Sequence, residues 1–476
     1  MKHAPTSRLP TNAGKRRRPL IEKVSADLTK RVHKVLKEGL AWLPTERELA
    51  VKLGVSRTVL REATKRLESH GLLQIEHGRG LRVVDHLHNP LAKSISLRLP
   101  YLPTRLEQLT EVRLLLEPEI ARLAALRHKP EDFAALKAIQ KRLKEARTKE
   151  EAVRCDTDFH GVLVCSAGNQ ILRLLLEALA DLSRENRMAT FGRFGTARLV
   201  FSVNQHEKII APLERRDADA SAEAMREHIE HVQRDLEELA TEGLLSKKRR
   251  QRGSLLDEVS EEMLKKIQKA SGKGRRLSSE RDLAAELGVS RTVIREASKR
   301  LESQGLLRVE HGSGLRVVDH LHDPLTRSIC LRLPDQAKRL EQLGEVKLFL
   351  EPEIARLAAL RHKPEDLAAL KAINKRLAGA TTTEEVVKCD TDFHRVLVCS
   401  TGNQILRLFS ASLDDLSRES RTATFGSLGP ARLLSSTTQH EKVITALARG
   451  DADGSAEAMR EHIEYVLRHL QQLGKL

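Results

Sequence analysis

Two hydrophobic periodicities alternate along the chain, and each predicts a different kind of structural element. From Leu43 to Leu67 apolar residues recur at helical spacing, while Gly54 and Ser56 mark the end of one short helix and the start of the next. After Gly71 the pattern changes to two short apolar–polar runs around a glycine-bearing turn, which predicts a β-hairpin. This order predicts a helix-turn-helix followed by a wing.

From Leu106 onward the pattern is almost purely helical. Leu106, Leu109, Val112, Leu115 and Leu116 recur at the spacing of one helix face, and few Gly or Pro residues interrupt the segments that follow. Such a pattern predicts an all-α antiparallel helical bundle. The predicted fold class is therefore mainly α, with winged helix-turn-helix domains each followed by a helical bundle.

The whole pattern occurs twice, because residues 47–90 recur as residues 281–324 with few changes, an offset of 234 residues. Residues 117–123 and 155–160 recur at the same offset. The chain thus reads as two subunits fused head to tail. We predict these segments: a basic N-terminal tail 1–18, a first winged helix-turn-helix 19–88, a first helical bundle 104–240, a basic linker 241–253, a second winged helix-turn-helix 254–322 and a second helical bundle 338–474.

Charge narrows the choice of partner. The chain has 83 Lys and Arg against 66 Asp and Glu, a formal net charge of +17, which favours a polyanion; double-stranded DNA is the first choice and an anionic membrane surface the alternative. We expect no membrane span, because charges interrupt every apolar stretch. Five cysteines without CxxC spacing fit a reducing cytoplasm, so we expect a cytoplasmic protein that is nucleoid-associated when bound to DNA.

The second helix of the predicted helix-turn-helix is the candidate DNA reader. Its first turns present four polar side chains: Ser56, Arg57, Thr58 and Arg61. The predicted wing tip carries His77 and Arg79, which could enter a minor groove. The alternative is that these arginines are ordinary solvated helix charges.

A second constellation lies in each helical half. Asp156 and His160 are four residues apart on one helix face, and His206 and His228 follow on later helices. One carboxylate and three imidazoles suit Zn, Ni or Mn, and an octahedral ion would keep positions open for a ligand. The second copy repeats the set: Asp390, His394, His440 and His462. The alternative, hydrogen-bonded structural histidines, is the interpretation we adopt for the histidines beside the wings: His86, His88, His320 and His322.

Residues 43–84 and 277–318 resemble the winged-helix domain of the GntR family of bacterial regulators, whose core runs close to LPSERELAxxLGVSRxxVREALxxLExxGL. The resemblance to its FadR subfamily implies these DNA-binding residues: Arg47, Ser56, Arg57, Thr58, Arg61, His77 and Gly78 in the first copy, and Arg281, Ser290, Arg291, Thr292, Arg295, His311 and Gly312 in the second. The second copy departs from the first where Pro44 becomes Ser278 and Arg79 becomes Ser313, so its wing carries less positive charge.

Residues 106–236 and 340–470 resemble the FCD effector domain of the same subfamily, through segments 111–125, 156–169 and 206–229. The resemblance implies a divalent metal held by the aspartate and three histidines, with a small organic acid bound against it. It also implies that Arg113 helps bind the acid. The second copy has Lys347 instead, which keeps the charge without the bidentate fork.

These inferences converge on a sequence-specific DNA-binding transcriptional regulator, a repressor, that is not an enzyme. One chain would supply both readers of an inverted-repeat operator as an intramolecular pseudo-dimer, and an organic acid would release the DNA. Further oligomerisation stays open. Two alternatives remain: a metal-dependent hydrolase built on the Asp-His set, and a structural DNA-binding protein without an effector.

Overall fold

A computed structural model describes residues 13–38, 40–76, 79–99, 102–241, 255–269, 276–303, 306–310, 314–317 and 323–472. The chain divides into two compact units, Met1–Pro90 and Leu91–Leu476. The first unit holds these elements: α1 Ala13–Lys37, β1 Trp42–Leu43, α2 Glu46–Leu53, α3 Arg57–Ser69, β2 Leu73–Glu76 and β3 Gly80–Val83.

Short polar side chains fix the ends of α2 and α3, as the sequence predicts. Thr45 caps α2 in a reciprocal box, in which its hydroxyl accepts from the amide of Glu48 at 3.4 Å and the Glu48 carboxylate accepts from the Thr45 amide at 2.9 Å. Gly54 ends α2 with φ 63°, and Ser56 caps α3 by accepting from the Val59 amide at 3.3 Å. These caps fix where α2 begins and ends and where α3 begins.

The strands form an antiparallel sheet of order β1-β3-β2, with Leu73 opposite Val83 and Trp42 opposite Arg82. The two-residue β1 was not predicted, because so short a strand shows no periodicity. Gly71 enters the hairpin with φ 76°, and a Cβ there would lie 2.1 Å from the carbonyl oxygen of His86. Only glycine fits that approach.

The second unit begins with the first helical bundle, whose elements follow α4 Asn89–Arg98, a helix that crosses the division: α5 Leu102–Arg127, α6 Pro130–Lys144, α7 Lys149–Ser166, α8 Gln170–Glu214 and α9 Ala218–Thr241. Helix α5 packs along α9, and α7 packs against α8. Helix α8 contains one non-helical residue, Gly195, with φ 50° and ψ −124°, so it is two helices joined at a kink.

The second copy, which lies within the second unit, repeats the same order of elements. Its winged helix contains α10 Leu255–Lys269, β4 Arg276–Leu277, α11 Glu280–Leu287, α12 Arg291–Ser303, β5 Leu307–Glu310 and β6 Gly314–Val317. Its helical domain contains α13 Asp323–Arg332, α14 Gln336–Arg361, α15 Pro364–Ala378, α16 Thr383–Ser400, α17 Gln404–Ala448 and α18 Ala452–Gln472. The predicted fold class, duplicated winged helices followed by helical domains, is confirmed. Among the helices that the structure describes, none combines the length and apolarity that crossing a membrane requires.

The two helical domains contact each other through the same residues in both directions. Asn169 donates to the Gln342 carbonyl at 3.0 Å and to Glu345 at 2.8 Å. At the equivalent positions of the other copy, Asn403 donates to the Gln108 carbonyl at 3.2 Å and to Glu111 at 2.7 Å. Two further pairs are ion pairs with the same exchange: Arg127 with Glu345, and Arg361 with Glu111.

Candidate DNA-reading surfaces and metal centres

The predicted readers lie on the exposed side of the helix-turn-helix. Arg57, Thr58 and Arg61 are exposed on α3, whereas Leu60 and Ala63 of the same helix are fully buried. An outward row of arginines at the first turns of a capped helix suits contact with phosphates and base edges. Arg47 is exposed on α2, and the described wing residue Arg79 is exposed before β3.

The second copy presents the same side chains outward: Arg281, Ser290, Arg291, Thr292 and Arg295. One difference is local, since Arg295 pairs with Glu280 at 3.5 Å. The predicted wing-tip residues lie outside the described residues: His77, Gly78, His311 and Gly312. Most of the basic tail and the linker lie there too.

The structure brings together the four predicted metal ligands of the first copy. Asp156 and His160 stand on α7, His206 on α8 and His228 on α9. All four residues are buried, and one ligand atom from each lies within 4.8 Å of the others. Three helices therefore converge on one point of the domain interior.

The donor atoms of this cluster fit a cation. Asp156 Oδ1, His160 Nε2, His206 Nε2 and His228 Nδ1 are buried and have no hydrogen-bond partner among the described residues. An orphaned buried polar atom is costly, and four such atoms facing one point would be satisfied together by a divalent ion. The same set with one carboxylate and three imidazoles suits the borderline metals Zn, Ni and Mn.

Neighbouring side chains orient these ligands. Nδ1 of His160 lies 2.7 Å from Oε2 of Glu117, which turns Nε2 toward the cluster. Arg187 Nε lies 3.0 Å from Asp156 Oδ2, which leaves Oδ1 for the cluster. The His206 ring stacks on Phe159 with centroids 3.9 Å apart. The centre is thus held by a second set of contacts.

The electrostatics keep the ligands in the protonation states that a metal needs. Burial lowers the pKa of His206 and holds that of His228 well below its usual value, so both imidazoles are neutral. Burial would raise the pKa of Asp156, but His206, whose Nε2 lies 3.5 Å from Oδ1, and the charge of Arg187 hold it well below the usual range. Neutral imidazoles beside an ionised carboxylate are competent ligands.

The second copy assembles the equivalent four buried residues: Asp390, His394, His440 and His462, again with ligand atoms within 4.8 Å. Nδ1 of His394 lies 2.6 Å from Glu351, and the His440 ring stacks on Phe393 at 3.9 Å. Burial alone would lower the pKa of His394, but the Glu351 carboxylate raises it.

A cavity adjoins each centre. In the first copy it measures about 10 Å³ and is bordered by three buried arginines, Arg113, Arg187 and Arg198. In the second it measures about 50 Å³ and is bordered by Lys347 and Arg421. Arg113 and Lys347 therefore both stand beside a candidate metal cluster, which is where the resemblance to the FCD domain places the acid-binding cation.

Several residues that surround the two clusters were not among the site residues predicted from the sequence: Glu117, Glu351, Arg187, Arg421, Arg198 and Asp414. The sequence could have indicated Glu117, because it follows Arg113 by four residues and therefore lies on the same helix face. No sequence pattern pointed to Arg187, because its distance from Asp156 depends on how α8 packs against α7.

Comparison with known protein families divides each copy into the same two parts, a winged helix and a helical domain. The FCD domain profile matches residues 108–231 and 342–465, and the profile of bacterial regulatory proteins of the gntR family matches residues 20–83 and 256–317. The solved structure of Streptococcus agalactiae GntR is 25% identical, covers 45% of this chain and 99% of its own, and has a TM-score of 0.34.

Curated relatives agree. An uncharacterised HTH-type regulator of Mycobacterium tuberculosis is 40% identical over 28% of this chain, and the chain spans 56% of that protein's length. The Glc operon transcriptional activator of Escherichia coli K12 is 30% identical over 48% of this chain and 92% of its own, and the repressor NanR of Escherichia coli is 29% identical over 46% and 84%. The chain belongs to the GntR family of bacterial regulatory proteins, as a DNA-binding transcription regulator in which the unit of one GntR winged helix and one FCD domain occurs twice.

Proposed function

We propose that this chain is a metabolite-responsive repressor that reads an inverted-repeat operator as a fused pseudo-dimer. The reciprocal contacts between the helical domains carry the proposal, because Asn169 with Glu345 and Asn403 with Glu111 are the same pair taken in both directions. Such an exchange is the mark of a two-fold interface, and a two-fold pair of readers matches a palindromic site.

The proposed readers are the residues that the sequence analysis named, with α3 and α12 in the major groove. Arg57 and Arg291 begin these helices, and both side chains are exposed. Covalent fusion makes the pairing intramolecular, so the effective concentration is on the order of mM and operator binding should survive dilution. Chromosomal DNA in the cytoplasm is the proposed location of the bound protein.

Each helical domain is proposed to hold one divalent ion through its aspartate and three histidines. Such an ion, when bound, supplies a Lewis-acid anchor for a carboxylate. In the first copy Arg113 would receive the acid beside it. Because the cavity there is only about 10 Å³, an acid must displace side chains to enter, and this displacement is the proposed source of the response.

We propose a binding site and not a hydrolytic centre. The cationic side chains beside the first centre are arginines, which stay protonated and make poor bases. Glu117 is committed to His160 and Arg113, and although burial would raise its pKa, those two neighbours hold it well below the usual value. Turnover by the Zn²⁺-loaded chain on ester and amide substrates would revive the enzyme alternative.

The test selects duplexes from a random pool with the purified chain and measures the mass of the complex. We expect one chain on one short inverted repeat. The double variant R57A/R291A should lose sequence-specific binding, while K208A, which removes an exposed cation of the helical domain, should bind as the wild type does. Two chains per repeat would contradict the fused pair, and unaltered selection by R57A/R291A would contradict the readers.

A further inference from the structure

The second metal pocket contains a buried carboxylate at a position that is an alanine in the first. Asp414 stands on α17, is about nine-tenths buried, and occupies the position that is Ala180 in the first copy. Its Oδ1 lies 2.8 Å from Nη2 of Arg421 and 3.7 Å from Nζ of Lys347. This one buried carboxylate therefore compensates both described cations that border the second cavity, Arg421 and Lys347.

Among the residues of the first copy that the structure describes, no carboxylate takes this place, since the equivalent position is Ala180. Arg187, the counterpart of Arg421, directs Nε to Asp156 at 3.0 Å and Nη1 to the Thr157 hydroxyl at 3.1 Å. Its Nη2 has no partner among the residues that the structure describes, and Arg113 uses only Nε, toward Glu117. Asp235 pairs with Arg198 at 3.0 Å, so the unused donors of Arg187 and Arg113 stay without an acceptor among the described residues.

Buried cations with unused N–H donors attract anions even when one carboxylate already pairs with each, because a donor without an acceptor in a low-dielectric interior is costly. The first pocket has this property at Arg113 and Arg187. In the second pocket Arg421 has a partner for each of its three nitrogens: Asp390, Thr391 and Asp414. An incoming carboxylate there would meet cations already compensated and a nearby negative charge.

The pockets also differ at one lining position on the helix that carries Lys347. Gly344 replaces Thr110, and the Leu467 side chain lies over it, so closely that a Cβ at 344 would be 2.6 Å from Leu467 Cδ2. The other apolar side chains that line it, Leu340, Leu343, Val466 and Leu470, are the same residue types in the first copy and do not distinguish the pockets. The cavity of about 50 Å³ thus lacks the hydroxyl that Thr110 offers in the first pocket.

We propose that Asp414 is a resident counter-anion, so that only the first copy binds a carboxylate effector while the second is held permanently in a compensated state. This inference rests on the proposed function, in which an organic acid is the effector. It assigns the two copies different tasks: the first responds to the metabolite, and the second supplies a fixed partner and a DNA reader.

The test uses acetate, the smallest convenient carboxylate, with the full Zn²⁺-loaded chain. Acetate sites per chain are counted by equilibrium dialysis, and thermal unfolding is recorded in acetate and in chloride at equal ionic strength. We expect one site in the wild type and two in D414A. In A180D we expect the acetate affinity of the first copy to fall by about tenfold or more, equivalent to ~1.4 kcal/mol.

Rescue of thermal stability by acetate is a second measurement. D414A should unfold at lower temperature than the wild type in chloride and recover in acetate, and D414N, which keeps the side-chain shape, should do the same. The inference is overturned if A180D retains wild-type acetate binding, or if neither D414A nor D414N gains an acetate site. Operator binding by the same samples reports separately on the proposed function, because it depends on the winged helices and needs no acetate.

Discussion

The side-chain amide nitrogen of Asn169 lies 2.8 Å from Glu345 of the second copy, while the side-chain oxygen of Asn169 caps α8 by accepting from two backbone amides at 3.0 Å. One side chain thus caps the start of a helix and joins the two halves. Both hydrogen-bonding sites of the amide are used, so no smaller or charged residue can replace it.

N169A should therefore cost more than an ordinary cap. We expect a loss of about 2–3 kcal/mol in the free energy of unfolding, from about 1 kcal/mol for the cap and the rest for the inter-copy bonds. T148A is the matched control, because Thr148 caps α7 without touching the second copy, and it should cost about 1 kcal/mol. Equal losses in the two variants, measured by urea unfolding, would mean that the contact between copies contributes no stability.

The contact from Glu117 to His160 predicts an effect on metal affinity. E117Q weakens the acceptor that orients the imidazole, so Zn²⁺ affinity of the first copy should fall by about 10–100-fold. E119Q is the control, since Glu119 pairs with Arg122 near the surface and should leave affinity unchanged. The measurement is competition with a chromophoric chelator, and retained affinity in E117Q would contradict a metal at this cluster.

The lowered pKa values of His206 and His228 predict how stability depends on pH. In the unfolded chain these imidazoles take up protons below about pH 6.5, whereas in the folded metal-free domain burial keeps them neutral to lower pH. The unfolded state then binds more protons, so the free energy of unfolding should fall as pH drops from 7 to 5. H206Q/H228Q should flatten this slope; an unchanged slope would place its origin elsewhere.

Gly71 offers a test of the wing geometry. G71A would place a Cβ 2.1 Å from the His86 carbonyl oxygen at φ 76°, and we expect the first winged helix to lose several kcal/mol and its operator half-site. G54A is the control, because φ there is 63° with no atom within 4 Å, and it should cost only about 1 kcal/mol. Footprinting of each half-site separates the copies, and protection by G71A equal to that by G54A would contradict the clash.

Local chemistry explains which parts of the fold could be read from the sequence. Caps such as Thr45 and Ser56 act over three residues, so their effect is visible in the sequence itself. The four metal ligands could be proposed because two of them share one helix face and the whole set is repeated. By contrast, the contacts of Arg187 with Asp156 and of Asn169 with Glu345 join residues 31 and 176 positions apart, and no local pattern reports them.

The exchange of Ala180 for Asp414 has a genetic consequence. A regulator assembled from two identical subunits has one gene for both, so a mutation that silences one sensor silences the other as well. In the tandem chain each half carries its own codons, and the second pocket can acquire an aspartate while the first keeps an alanine. Duplication within one reading frame thus permits heterodimer-like division of labour without any need for two different subunits to find each other.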